Sequence, residues 1–262
     1  MNRRNWLSSA GATAAGSLAG FSAVANSRVD KRSWVISFES FRVSNAEQMK
    51  RLHFYLGGAF LPYLARVHRG PKIVLEAIIA PHTPQVMVVT AFPSFDELIE
   101  IQNQVAAYPG IQRARADLSR TAHNGTPQQR FFGLNEDAAS CALESGESQI
   151  LVTTADSLQL HDRLDSLRGG IIELRSYLTA GWRDRPPVAA SAAFRRAGID
   201  PILTATAAGE HLPRFTYLVP FADLAVRQEA WARLDRDSEW SGLEAKVTGA
   251  SIYKLAPYSR LS

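Results

Sequence analysis

The sequence predicts an α+β protein in which two tandem ferredoxin-like (βαββαβ) units form a pseudo-dimeric α/β barrel within one chain. Two observations support this prediction: the chain repeats itself, and both copies show the same order of predicted strands and helices. A single such unit carries helices on one sheet face only and leaves the other face apolar and bare. Two units can cover each other with these faces, which places the helices outside and a cavity between the sheets.

The repeat becomes visible when residues 70–98 are aligned with residues 198–224. Two glycines, four prolines and two leucines then match in pairs, with separations between 126 and 129 residues: Gly70 and Gly198, Pro84 and Pro213, Pro93 and Pro220, Leu98 and Leu224. Upstream, ISFESF at 36–41 lies over IELRSY at 172–177. We therefore expect one unit at 33–155 and a second at 170–257.

The first copy begins with a strand predicted at 34–43. Ser44 is expected to cap the following helix, with Glu47 completing a capping box, and one apolar helix face is formed by Leu52, Leu56, Ala59 and Tyr63. Two strands at 73–79 and 85–92 are predicted to form a hairpin, because prolines and polar residues separate them. A second helix is predicted to start at 94–97, and a last strand at 148–154.

The second copy follows the same order. Its strands are predicted at 171–178, 201–207, 214–220 and 248–255, and its helices at 187–198 and 221–236. Residues 106–147 interrupt the scheme in the first copy, and the stretch 121–149 is rich in glycine, serine, asparagine and glutamine. We interpret it as a long loop, which serves either as a lid or as a simple connector.

Residues 1–25 are predicted to be a twin-arginine signal peptide that is cleaved after Ala25. The pair Arg3-Arg4 precedes a weakly apolar stretch, which ends in the small-x-small sequence AVA at 23–25. The stretch lacks the ~20 strongly apolar residues of a membrane span. We therefore expect a periplasmic or secreted protein that is exported by the twin-arginine route and is not stably inserted in a membrane.

The composition is typical of a globular protein that does not bind nucleic acid. The net charge is only +4, and the nearest approach to a basic cluster is Arg113, Arg115 and Arg120. We interpret these three arginines as a solvated helix face. Cys141 is the only cysteine, which excludes an intrachain disulfide and thiol-based metal sites. Further self-association into a homo-oligomer is left open.

The second copy resembles the NIPSNAP family in its exported tandem-domain form. The resemblance lies in IELRSY at 172–177 and in the segment 212–240, where the matching residues are Arg227, Trp231, Leu234, Asp237, Glu239 and Trp240. Leu234 and Ser238 depart from the Phe and Pro that are usual in the family. The first copy retains FPSFDEL and the helix around His53 but lacks the Arg-Tyr strand. The resemblance implies a dimeric α/β-barrel fold, whose relatives include haem-handling proteins, cofactor-independent oxygenases and binding proteins.

Polar residues on the first strand of each copy are the candidate ligand-binding residues. Glu173, Arg175 and Tyr177 alternate along 171–178 and must share one face of a central strand. We expect them to face the cavity together with Glu39, which the repeat places opposite Arg175. Buried charges need partners, so these residues form either a structural ion-pair network or an anion-binding site with Tyr177 as a donor.

His53 is the remaining candidate, because related haem-handling barrels suggest an axial ligand on the first helix. A structural histidine is the alternative, and we predict no cofactor and no metal site. The spacing of the six histidines is not that of a zinc site. The function that we expect is binding of a small organic molecule between the sheets. A cofactor-independent monooxygenase or lyase and a non-catalytic interaction scaffold are the alternatives, so whether the protein is an enzyme is left open.

Overall fold

The computed structural model describes residues 33–120, 145–154, 158–160, 167–178, 186–207, 214–241 and 246–259. The described residues from Trp34 onward belong to one compact unit. The predicted signal peptide and most of the loop predicted at 106–147 lie outside the described residues. Among the described helices, none has the length and apolar character needed to cross a membrane.

The first half of the barrel follows the predicted order of elements. Its strands are β1 (Ser33–Arg42), β2 (Lys72–Ile79), β3 (Gln85–Phe92) and β4 (Ser145–Thr154). Its helices are α1 (Ala46–Tyr55), a π-helical turn (Leu56–Phe60), α2 (Leu61–Val67), α3 (Phe95–Ala107) and α4 (Pro109–Arg120). The prediction of a loop from residue 106 was wrong over α4, because Ile111 and Arg115 give this polar segment a buried side.

The second half is built in the same way. Its strands are β5 (Ile171–Leu178), β6 (Leu203–Ala207), β7 (Arg214–Phe221) and β8 (Lys246–Leu255), and its helices are α5 (Pro186–Ala197), α6 (Leu224–Leu234) and α7 (Ser238–Ser241). Every strand predicted from the sequence is confirmed within three residues at each end. The helix prediction at 221–236 was too long, since Asp223 caps α6 by accepting a hydrogen bond from the Val226 N–H.

The start of α1 lies one residue later than predicted. Asn45, not Ser44, is the N-cap, and its side chain accepts a hydrogen bond from the Gln48 N–H at 2.9 Å. Gln48 in turn accepts a hydrogen bond from the Ser44 N–H at 2.7 Å. A reciprocal cap therefore forms with Asn45 and Gln48 in place of Ser44 and Glu47.

The eight described strands close into one barrel. Their order around it is β1-β3-β2-β8-β5-β7-β6-β4. Because the barrel is closed, β4 also neighbours β1, and the order reads β4-β1-β3-β2 followed by β8-β5-β7-β6. The same order thus occurs once in each half. The strand pairs with a described register, which include β2–β8 and β4–β6 between the halves, are antiparallel.

Side-chain alternation along the strands separates three apolar clusters. Two clusters lie between the barrel wall and the helices, one in the first half around Leu52 and Leu56 and one in the second half around Trp231 and Leu234. The third fills part of the barrel interior and takes residues from both halves, such as Ile36 and Ile172. Each strand therefore has one face toward the helices and one toward the interior.

The matched glycines of the repeat have separate structural reasons. Gly198 follows α5 with a φ of +77°, the left-handed conformation in which glycine commonly ends a helix. At Gly70 a β-carbon would lie 2.4 Å from the carbonyl oxygen of Ala91, so no side chain fits there. One glycine serves a helix end, and the other allows close approach of two backbones.

Candidate functional site

The predicted facing of the strand residues was wrong, because Glu173, Arg175 and Tyr177 point toward the helices. Glu173 is fully buried and bonds to side chains of α6, and Tyr177 belongs to the helix-side cluster. Ile172, on the opposite face of β5, lies in the interior cluster. The reason is that α6 supplies the charged partner that a buried carboxylate needs, while the barrel interior at this level is packed with aliphatic side chains.

The Glu173 carboxylate is held by three side chains. Arg227 forms a two-pronged ion pair with it, with Nε–Oε2 and Nη2–Oε1 distances of 2.9 Å. Trp231 donates its indole N–H to Oε2 at 2.5 Å. Arg175 is more distant, with its Nε 3.7 Å from Oε1 and its guanidinium carbon 3.9 Å from the centre of the Trp231 ring. The predicted pairing of Arg175 with Glu173 is confirmed, but Arg227 is the main partner.

Tyr177 lies in an aromatic cluster between β5 and the helices of the second half. Its ring meets Tyr217 edge-on at 5.8 Å and Trp240 edge-on at 5.2 Å. Burial raises the pKa of both tyrosine hydroxyls well above the usual value. The Tyr217 hydroxyl is buried and has no hydrogen-bond partner among the described residues. This layer stabilises the fold, and its packed rings give no opening for a ligand.

Glu39 occupies the corresponding layer of the first half. It is 4% exposed and accepts a hydrogen bond from the Ser37 hydroxyl at 3.0 Å, whereas its Oε2 has no partner among the described residues. Burial raises the pKa of Glu39 to about 8, although the Ser37 hydrogen bond and the Arg115 charge oppose this shift. Arg115 donates from Nε to the Tyr55 hydroxyl at 3.0 Å. The interpretation of Arg115 as part of a solvated face was therefore wrong.

The repeat suggested that Glu39 and Glu173 share one ion-pair network, but the structure does not join them. Each carboxylate lies between the barrel wall and the helices of its own half, and no described ion pair joins Glu39 to Arg175. The alternation that places Glu173 opposite α6 also places Glu39 toward α1 and α4. The barrel wall separates these two helix layers, so the charges are paired locally.

His53 is held in a polar cluster that joins the two halves of the chain. Its Nδ1 lies 2.5 Å from the Tyr258 hydroxyl and its Nε2 lies 3.4 Å from Oε2 of Glu76. Glu76 also pairs with Lys254 at 3.0 Å. Burial lowers the pKa of His53, against the effect of Glu76. Because both ring nitrogens are engaged, these residues do not fit a haem ligated by His53, and no described group of three or more His, Cys, Asp or Glu could hold a metal ion.

One end of the barrel interior is filled with apolar side chains. This closed end is formed where β1 and β5 begin and β3 and β7 end, as the strand pairing shows. Its inward-facing residues are almost completely buried and include Ile36, Ile73, Ala91 and Ile172. Such dense packing leaves no room for a ligand at this end.

The opposite end of the interior is polar, and we call it the polar mouth. Alternation along unbroken ladders gives its inward-facing residues: Ser40, Arg42, Gln85, Ser176, Arg214 and Thr216, with Ser251 on β8. The Ser176 and Thr216 hydroxyls lie 3.1 Å apart. Gln85 donates to the Tyr253 hydroxyl at 3.4 Å, and Tyr253 itself belongs to the apolar interior cluster. Tyr253 therefore marks the boundary between the two ends.

Part of the polar mouth is reached by solvent, although Ser40, Gln85, Thr216 and Ser251 are buried. Leu174 and Ser176 on β5 face the interior of a closed barrel, yet both are only partly buried, whereas Ile172 on the same face is 0% exposed. Arg42 and Arg214 are also partly exposed. Inward-facing side chains of a closed barrel can be exposed only where the interior is not filled. The change from buried to exposed along β5 therefore indicates space at the polar mouth.

Sequence reasoning missed this site, although the repeat contained a signal for it. Ser40 and Ser176 are equivalent in the alignment of ISFESF with IELRSY. Gln85 and Arg214 are also equivalent, since each lies beside the last residue of the first strand in its half. Polar residues at matched inward positions in both copies would have predicted a polar ring, had the facing been assigned correctly.

Comparison with solved structures shows that the fold is similar to the chlorite dismutase-like dimeric α/β barrels. A "Putative Chlorite dismutase" is 11% identical with a TM-score of 0.53, and the match covers 87% of this chain and 96% of that chain. Chlorite dismutase from Candidatus Nitrospira defluvii in complex with imidazole is 9% identical with a TM-score of 0.52, over 86% and 92% of the two chains. A heme-binding protein from Thermus thermophilus is 9% identical with a TM-score of 0.46, over 87% and 92%. At these identities the likeness shows the fold alone.

A family model described as NIPSNAP matches residues 187–257. These residues run from α5 past the end of β8 and include Arg227, Trp231 and Tyr253. No curated protein matches the sequence. The resemblance drawn from the second half is therefore supported over this segment, while the tandem arrangement and the signal peptide stay predictions.

Proposed function

We propose that the protein binds a small organic molecule inside the barrel, at the polar mouth, and that each half of the barrel is one ferredoxin-like unit. The observation that carries the proposal is the change along the inward face of β5 from the buried Ile172 to the partly exposed Leu174 and Ser176. A pocket with an apolar floor and a few polar groups at its rim is the usual form of a small-molecule site.

The export of the protein is part of the same proposal. The arginine pair and the AVA sequence at the N-terminus support a ligand that is met in the periplasm or outside the cell. The binding residues that we propose differ from those expected from the sequence. Glu39, Glu173, Arg175 and Tyr177 lie in the helix layers, and the polar mouth takes over the role that we had expected them to play.

The experiment fills the pocket and measures binding. A library of small organic molecules is screened by thermal shift, and each hit is titrated by calorimetry into wild-type protein, Ser176→Phe and Ser241→Phe. Ser176 faces the polar mouth and Ser241 is exposed on α7. We expect Ser176→Phe to abolish binding and Ser241→Phe to leave it unchanged. Hits that bind equally well to Ser176→Phe would refute a site in the polar mouth.

The same hits separate binding from the two alternatives. Oxygen uptake with one atom of ¹⁸O2 incorporated into a bound phenol or other oxidisable hit, and the other released as water with two electrons from the same hit, would show a cofactor-independent monooxygenase. If no molecule of the library binds, the interaction scaffold takes the place of the proposal. Both measurements use the protein after export, as it is recovered from the compartment that the signal peptide predicts.

A further inference from the structure

We infer that the ligand is an organic anion whose acidic group is bound by Arg214, with its apolar part directed toward the floor of the pocket. This inference rests on the proposed binding site at the polar mouth and adds the chemical class of its ligand. It is carried by the charges of the inward-facing residues and by the surroundings of Arg214.

On the strands, every charged side chain that the structure describes as facing the interior is basic. By alternation, Arg42 and Arg214 are inward-facing, whereas Glu39, Glu76 and Glu173 lie on the outer faces of β1, β2 and β5. No carboxylate is found among the inward-facing side chains that the structure describes. Arg214 therefore brings positive charge to the described part of the polar mouth, which a bound anion would balance.

Arg214 has a donor that the described residues do not use. Its Nε is buried and has no hydrogen-bond partner among them. A buried donor without a partner is unfavourable, and a guanidinium binds carboxylate, phosphate or sulfonate groups through two parallel hydrogen bonds. In the helix layer of the same half, Arg227 binds the Glu173 carboxylate in this way. A ligand would supply the acidic group at Arg214 that Glu173 supplies at Arg227.

The neighbours of Arg214 suit an anion with an apolar body. Thr216 and Ser176 place two hydroxyls next to each other on the same face, and hydroxyls can donate to the second oxygen of an acidic group. Toward the closed end, the adjoining inward-facing residues are Leu174, Leu218 and Tyr253. An acidic group at the rim and an apolar group against these residues would satisfy both parts of the pocket.

The test uses two pairs of probes, and the members of each pair share an apolar body and differ in whether they carry an anionic group. The larger pair is 8-anilinonaphthalene-1-sulfonate and its neutral counterpart N-phenyl-1-naphthylamine, followed by fluorescence. The smaller pair is phenylacetate and phenylacetamide, followed by calorimetry. Each probe is titrated into wild-type protein, Arg214→Gln, Arg214→Lys and the matched control Arg113→Gln, an exposed arginine on α4.

We expect Arg214→Gln to weaken binding of the anionic probes roughly 10- to 100-fold, as for loss of a charge-assisted hydrogen bond. Neutral probes should bind Arg214→Gln as they bind the wild type. Arg214→Lys should restore part of the anion binding, because it keeps the charge and loses the two-pronged geometry. Arg113→Gln should bind both the anionic and the neutral probes as the wild type does.

Two outcomes would overturn the inference, and they can be distinguished. If Ser176→Phe abolishes binding while Arg214→Gln binds the anionic probes normally, the site is correct and the ligand is not held as an anion by Arg214. If the probes do not bind, or bind without regard to Ser176→Phe, the proposed site itself fails and the inference fails with it.

Discussion

Glu39 shows how one buried side chain sets the response of this protein to pH. Its carboxyl is enclosed by β1 and the helices of the first half, where Ser37, Arg115 and Tyr55 are the polar groups that face it. The single hydrogen bond from Ser37 and the Arg115 charge do not compensate for desolvation, so burial raises the pKa of Glu39 to about 8. The group is mostly protonated in the folded protein at neutral pH.

This raised pKa predicts that Glu39 lowers stability as the pH rises. Between the ordinary carboxyl pKa of 4.5 and the folded value of about 8, the folded state binds the proton that the unfolded state has lost. The stabilising contribution of this bound proton to the free energy of unfolding is fully present below about pH 4.5 and is lost as the pH rises toward 8. Relative to Glu39→Gln, which cannot titrate, the wild type should lose on the order of 3 kcal/mol between about pH 5 and pH 7.5.

Urea unfolding followed by circular dichroism at several pH values measures this difference. Glu100→Gln, which removes an exposed carboxyl of α3, is the matched control and should follow the wild type. Parallel stability profiles of the wild type and Glu39→Gln would show that Glu39 is not held protonated by the fold.

At the scale of single residues, the sequence predicted which polar side chains are buried on the strands. It did not predict which face of the strand they occupy. Glu173, Arg175 and Glu39 are buried or partly buried polar residues on central strands, as expected. Their facing depends on whether the helix layer or the interior supplies partners, and a single strand does not contain that information. Arg227 and Trp231 lie four residues apart on one helix face, and this spacing was the available signal for a partner of Glu173.

The connection between β5 and α6 is an ion pair that joins a strand to its covering helix. Arg227→Ala should destabilise the fold by ~3–5 kcal/mol, because it leaves the fully buried Glu173 carboxylate without its main partner. Arg175→Ala should cost less, since the closer partners Arg227 and Trp231 remain. Free energies of unfolding from urea titration give this order directly.

Arg196→Ala is the control for this comparison. Arg196 binds Asp237 with the same two-pronged geometry, at 2.8 and 3.0 Å, but at the protein surface. Its loss should have little effect, because solvent screens surface ion pairs. A loss of stability in Arg175→Ala that equals or exceeds that in Arg227→Ala would contradict the assignment of Arg227 as the main partner.

Elements were predicted more accurately than contacts, because their signals are local. Alternation and turn residues gave the described strands within three residues, and the apolar face of Leu52, Leu56 and Tyr63 gave the first helix. The cap at Ser44 was misplaced because Asn45 and Ser44 are both good caps, and the local geometry decides between them. Helix α4 was missed because its few buried residues are hidden in a polar composition.

At the scale of the whole molecule, the eight described strands close into one barrel whose interior takes side chains from both halves. The sequence predicted a barrel of this kind through the repeat, and the origin of the two halves as tandem copies of one unit stays a prediction. It did not predict that the interior is divided into a filled apolar end and a polar mouth, because that division depends on which residues of eight strands lie at the same level of the barrel.

The proposed binding site requires a barrel interior that is filled at one end and open at the other. Two single-cysteine variants in a Cys141→Ser background test this claim: Ser176→Cys in the polar mouth and Ala91→Cys in the closed end. The measurement is the rate of modification of each by methyl methanethiosulfonate, followed by mass spectrometry. Both positions face the interior, so exposure on the outer surface does not distinguish them.

We predict that Ser176→Cys is modified in the folded protein and that a bound ligand slows its modification. Ala91→Cys should be modified only when the protein unfolds, because its side chain is 0% exposed within the packed interior. Equal rates at the two positions, whether both fast or both slow, would contradict a barrel that is filled at one end and open at the other.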